Sequence, residues 1–186
     1  MRIRRAGVGD ALAFATLTRR EIETGLPHGW TAPRLARLLA DENTNAYALV
    51  ADEVSDETGG ARASRAPTGL SVARFGLERG HLMLHAIGAE RRGRGLGREL
   101  LRWQIEAATI AGLTRLTLEV RSDNARARRF YERCGFRVAR RLPRYYAARV
   151  DALRMVLEPL VASSASPAAR SGRPGAEPTD PGPAAP

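Results

Sequence analysis

Arg91-Arg92-Gly93-Arg94-Gly95-Leu96-Gly97-Arg98 separates an apolar run, Leu82 to Ile87, from a longer amphipathic segment, Leu96 to Ala111. The run has the length and composition of a strand, and the segment repeats its apolar residues with helical spacing. A glycine-rich turn at the start of a helix lets backbone N–H groups converge on one point. Together with the helix dipole they make an anion site suited to phosphate. Arginines around the turn add planar guanidinium groups that match phosphate oxygens in pairs. The stretch therefore predicts a phosphorylated ligand held between a strand and the helix that follows it.

Spacing narrows the kind of loop. The Lys-Ser/Thr pair of a P-loop is missing, and the glycines do not follow G-x-G-x-x-G. What remains is R-x-x-G-x-G, read as Arg92, Gly95 and Gly97. Downstream, Leu116, Leu118 and Val120 alternate with Thr117, Glu119 and Arg121, which is strand periodicity. Ser122 and Asp123 offer capping chemistry for a helix from about Asn124, and Gly135 ends it before Phe136. The R-x-x-G-x-G loop and the block L-E-V-R-S-D-N-A-R-A-R-R-F-Y-E-R-C-G-F resemble the GCN5-related N-acetyltransferases. Within them the sequence is similar to the branch typified by the ribosomal-protein-alanine N-acetyltransferases. Tyr145-Tyr146 before Asp151-Ala152-Leu153-Arg154-Met155, and Pro27 with Trp30-Thr31, match that branch in order. The resemblance runs from about Ile3 to Leu160. Ala89 departs from it, since a proline is usual there, and Leu142-Pro143-Arg144 is not diagnostic.

The order of elements sets the fold. Helical periodicity covers Val8 to Glu23 and Ala32 to Leu39. Strands follow at Ala46 to Ala51 and Leu70 to Phe75, joined by a polar loop, Asp52 to Thr68. Two strands close the pattern, the last from Val150 to Leu157. The expected class is α/β, a mixed sheet with helices on both faces. The resemblance implies a single domain with about seven twisted strands, splayed where acetyl-CoA enters. That domain is expected over residues 1–161. Residues 162–186, rich in Pro, Ala, Ser and Gly, are expected to form a disordered tail, because they bury too little to repay their ordering entropy.

Amine acetylation needs a neutral amine. An α-amino group, with a pKa near ~8, is roughly one-tenth neutral at pH 7, whereas a lysine near ~10.4 is below about 0.1% neutral. A carboxylate acting through water is then a sufficient base. Glu119 sits at the glutamate of the L-E-V motif, where the resemblance implies that base. The alternative is a strand carboxylate paired with an arginine such as Arg121. Tyr131 lies seven residues after Asn124, so both are expected on one helix face, lining the pantetheine arm. Asn124 is expected to bond an amide of that arm, and Tyr131, whose ordinary pKa suits a thiol, to protonate the leaving sulfur. The backbone N–H of Ile87 is implied as the oxyanion donor. Phosphate contacts are implied for Arg92, Arg94, Gly95, Gly97 and Arg98. Tyr145, Tyr146 and Trp30 are expected to wall the acceptor groove, with internal packing as the alternative. His81 and His85, on the strand leading to the loop, are alternative bases.

Composition bounds the rest. The chain has 186 residues, 44% hydrophobic, enough for a sizeable core. The net charge of +10 comes with 30 basic residues, every one arginine, and 5% aromatics. Stacking platforms for single-stranded nucleic acid are thus scarce, and direct nucleic-acid binding is not expected as the main function. One cysteine, Cys134, excludes an internal disulfide and a cysteine-based zinc site, and no metal is expected. No apolar run suits a signal peptide or a membrane span, so a cytoplasmic protein is expected. Three functions remain open: an acetyl-CoA-dependent acetyltransferase for protein N-termini, ribosomal proteins among them; an acetyltransferase for small amines such as amino acids, polyamines or aminoglycosides; and a non-catalytic acetyl-CoA-binding module.

Overall fold

The computed structural model describes residues 1–51, 66–147 and 149–160. Seven strands and four α-helices follow in the order β1 (Arg2–Arg5), α1 (Ala11–Glu21), α2 (Ala32–Ala40), β2 (Thr44–Val50), β3 (Gly69–Phe75), β4 (Arg79–Ile87), α3 (Leu96–Ile110), β5 (Arg115–Arg121), α4 (Ala125–Arg133), β6 (Arg137–Tyr146) and β7 (Val150–Leu157). Hydrogen bonding orders the strands β1-β2-β3-β4-β5-β7-β6 in one mixed sheet. Among the described residues the chain therefore adopts the expected α/β class with seven strands. Most of the loop expected at Asp52 to Thr68, and all of the expected tail, lie outside the described residues.

Two compact units make up the described chain. One comprises Met1–Ala73 with Met83–Gln104, and the other Arg74–Leu82 with the residues from Ile105 on. In the first, Phe14, Leu35, Leu49, Leu70, Val72 and Leu100 are fully shielded from solvent. β1 escaped the sequence reading because Arg-Ile-Arg-Arg has no apolar alternation. It pairs antiparallel with β2 at the sheet edge, where charged side chains can stay in water. Arg4 from β1 binds Asp10 at 2.7 and 2.9 Å, and Asp10 also accepts the Gly7 N–H at 3.0 Å. These bonds hold a short 3-10 turn, Val8–Asp10, so α1 starts later than its periodicity suggests. At the other end Glu23 leaves the helix to accept the N–H groups of Gly29 and Trp30 at 2.7 and 2.9 Å and to pair with His28.

The second unit is built on β5. Leu116, Leu118 and Val120 are buried while Arg115, Thr117, Glu119 and Arg121 occupy the other face, as alternation predicts. β4 joins it in parallel from Arg79↔Arg115 to Leu82↔Leu118. A Cβ at Gly80 would lie 2.8 Å from a Leu113 methyl and 2.9 Å from a Leu116 methyl, so a side chain there would have to displace both. β7 runs antiparallel to β5 and sets Arg154 opposite Glu119. β6 is the far edge and tolerates Pro143, which has no N–H to donate.

Candidate functional site

In the first unit β4 ends at Ile87, and Gly93 and Gly95 take left-handed φ values of 76° and 78° before α3 begins at Leu96. Those angles are why glycine stands at both positions. Arg94, Gly95 and Arg98 are exposed and Gly97 half-buried, so they are accessible to an anion. Arg92 is placed differently from what the spacing suggests. Its Nε–H donates to the Ile87 carbonyl at 3.1 Å, and its Nη2 pairs with the Glu21 carboxylate from the end of α1. His85 lies beside the loop, where a backbone hydrogen bond to Gly97 only partly opposes burial, which pushes its pKa down to about 4. A base that weak is poorly suited to neutral pH, which counts against His85 as the alternative base. Trp30 is 5% exposed, with the Arg34 guanidinium 4.4 Å from its ring centroid.

In the second unit the Glu119 side chain is only 5% exposed. Arg154 Nε donates to Oε1 at 2.6 Å and His81 Nε2 lies 3.0 Å from Oε2. Burial alone pushes this carboxyl up, but hydrogen bonds and charge from His81 and Arg154 outweigh it and hold the group below the usual carboxylate range. His81 is steadied by Thr117, whose Oγ1 lies 3.0 Å from Nδ1 and itself donates to the Gly80 carbonyl at 3.2 Å. The arginine pairing given as the alternative for Glu119 is made by Arg154, while Arg121 binds Asp123 at 2.7 and 2.9 Å. Successive strand residues point to opposite faces, but Arg121 is two along from Glu119, and Asp123 on the turn reaches it first.

Tyr131 is buried, edge-on to Phe130 and Phe136 at ring separations of 5.1 and 5.7 Å. Burial, and to a lesser degree Cys134, raise its pKa above the ordinary tyrosine value. Its hydroxyl therefore keeps its proton at neutral pH more firmly than the expected match to a thiol supposes. Tyr146 is also raised, first by burial and then by the Glu119 charge, with Tyr145 and Tyr131 adding to it. Glu119 and Tyr131 thus both act electrostatically on Tyr146. Tyr145 and Tyr146 meet edge-on at 5.1 Å, both half-buried. Asn124, not Ser122 or Asp123, caps α4, its Oδ1 accepting the Ala127 N–H at 3.0 Å. It precedes the first helical residue, so it does not share a regular helix face with Tyr131. Gly135 ends the helix with φ of 93°, as its position predicts.

Sequence reasoning missed Arg154 and Glu21. Arg154 stood within the Asp-Ala-Leu-Arg-Met motif, but its pairing depends on the β5–β7 register. Glu21 carries no local signal, since its partners Ala89 and Arg92 lie far along the chain.

Residues 14–136 match the Acetyltransferase (GNAT) family, and the chain belongs to that family. It is similar to N-alpha-acetyltransferase 30 of Schizosaccharomyces pombe, with 38% identity over 81 residues, covering 44% of this chain and 54% of that protein. The chain spans about half the length of the curated relatives it matches. Its fold is similar to the ribosomal-protein-S18-alanine N-acetyltransferase of Escherichia coli, with a TM-score of 0.71 and 25% identity over 88% of this chain and 96% of that one. It is similar also to Arabidopsis thaliana NAA60 in complex with acetyl-CoA, with a TM-score of 0.70 over 84% and 97% of the two chains. At 16% identity that second likeness is one of fold.

Proposed function

We propose that this protein transfers an acetyl group from acetyl-CoA to the α-amino group of a protein N-terminus by direct attack in a ternary complex. The observation that carries this is the Glu119 carboxylate, nearly removed from solvent and fixed by Arg154 and His81 on the strand that pairs with β4. The similarity to N-alpha-acetyltransferase 30 supports an N-terminal acceptor. The likeness to the S18-alanine enzyme makes a ribosomal-protein N-terminus the first acceptor to test.

The residues fit the co-substrate. Arg94, Arg98 and the backbone of Gly95 and Gly97 hold its diphosphate at the start of α3, where the N–H groups and the helix dipole favour negative charge. The Ile87 N–H serves the thioester oxygen as negative charge builds on it. The neutral amine attacks the thioester carbonyl carbon, the C–S bond breaks, and the coenzyme leaves as a thiolate. Glu119, ionised across the neutral range, accepts the amine's proton through water and passes it to solvent. Tyr131 donates a hydrogen bond to the departing sulfur. With its pKa raised, it stabilises the thiolate more than it surrenders a proton. Tyr145 and Tyr146 flank the acceptor.

Thiol release from acetyl-CoA tests this directly, with short peptides bearing free N-termini beside lysine, spermidine and an aminoglycoside. Turnover on peptides, cut by about a hundredfold in Glu119→Gln and at least about tenfold in Tyr131→Phe, is the expected result. Turnover confined to the small amines would overturn the N-terminal acceptor. CoA binding without turnover on any of them would overturn the enzymatic role.

A further inference from the structure

We propose that Glu21 is the positioning residue of the diphosphate loop, and that Arg92 acts through it rather than as a phosphate ligand. The proposal rests on the acetyl-CoA reading of that loop.

All the groups concerned lie in the first unit. The Glu21 side chain is 5% exposed, although it ends a surface helix. Its Oε1 accepts the Ala89 N–H at 3.3 Å and two N–H groups of Arg20 at 3.1 Å. Its Oε2 takes the Arg92 guanidinium, whose Nε–H is already given to the Ile87 carbonyl. Arg20 reaches on to Glu90 at 3.2 Å. Residues 87, 89, 90 and 92 are thus tied to two consecutive residues of α1.

The chemistry favours positioning over ligation. Arg92 spends Nε and Nη2, one edge of its fork, on two acceptors within the chain. To clamp a phosphate through that edge it would have to abandon both a carbonyl and a buried carboxylate, and the latter would keep only the more exposed Arg20 as a charged partner. The loop itself needs holding, because glycines at 93 and 95 lose more backbone freedom on ordering than other residues do. A loop fixed before the ligand arrives avoids that loss at binding. Arg94 and Arg98 remain exposed for the phosphates.

The experiment measures CoA affinity by calorimetry, and KM and kcat with acetyl-CoA and with S-acetylpantetheine, which lacks the diphosphate. Wild type is compared with Glu21→Gln, Arg92→Gln and the double variant, each checked for an intact melting transition. Glu21→Gln is expected to weaken CoA by about tenfold, the loss of one charge-assisted hydrogen bond. Its kcat at saturating acetyl-CoA should stay within about twofold, its KM for S-acetylpantetheine should not move, and the double variant should bind no worse than Arg92→Gln alone. If Glu21 instead competes with phosphate for Arg92, Glu21→Gln binds CoA more tightly, and the proposal fails. It fails equally if KM rises for both donors, the mark of a general defect, or if CoA binding is unchanged. A wild-type protein that does not bind CoA at all would remove the acetyl-CoA reading and this inference with it.

Discussion

Glu119 shows how one side chain takes its properties from its neighbours. A strand glutamate in water is an ordinary carboxylate. Here its two oxygens are engaged by an arginine from the adjacent strand and a histidine from the strand on the other side. Because its folded pKa is lowered, its contribution to stability is complete above the unfolded carboxylate pKa and is lost as pH falls through the lower folded value. Glu119→Gln should therefore cost about 2 kcal/mol at neutral pH, less than a fully buried pair would because Arg154 is partly solvated. The gap in melting temperature between wild type and variant should shrink on acidification below about pH 4, near the unfolded carboxylate pKa. A gap that stays constant down to pH 3 would mean that the carboxylate is not held by charge. Catalysis should show a different dependence. On a peptide, kcat/KM should rise from about pH 6 to about pH 8 as the α-amino group loses its proton. Glu119→Gln should lower that curve without displacing its rise, as stopped-time assays across pH would reveal.

At the scale of elements, α4 and its cap separate two uses of one residue. Asn124 was expected to serve the pantetheine arm, and its Oδ1 caps the helix that carries Tyr131. Asn124→Ala should cost about 1 kcal/mol through the lost cap. Asn124→Asp keeps an acceptor and should keep the stability. If the remaining amide donor meets acetyl-CoA, the aspartate variant will raise KM for acetyl-CoA while melting like wild type. If both quantities stay at wild-type values, Asn124 is a cap and nothing more. The end of α1 illustrates the same economy, since Glu21 and Glu23 turn from the helix to different loops two residues apart. Helical periodicity reports neither partner, because both are set by where the chain returns rather than by spacing.

At the scale of the molecule, charge is the plainest feature. A net charge of +10 carried by arginine should draw acidic peptides toward the surface. For an acidic N-terminal peptide kcat/KM should fall as salt is raised, and more steeply than for a neutral peptide of the same length. Equal slopes would show that the field plays no part in acceptor capture. Among the described residues no helix is long and apolar enough to cross a membrane. The sequence by itself determined the order of most strands and helices, the glycine turn ahead of α3 and the end of α4 at Gly135. Those features follow from periodicity and backbone freedom, which act over a few residues. It left β1 unread, because an edge strand needs no apolar alternation. Only the tertiary structure decided that Glu119 faces Arg154 and His81 rather than Arg121, that Arg92 is tied to Glu21, and that Trp30 and Tyr131 are buried. Each depends on strand register or on the return of a distant segment, and desolvation and pairing are properties of that assembled environment.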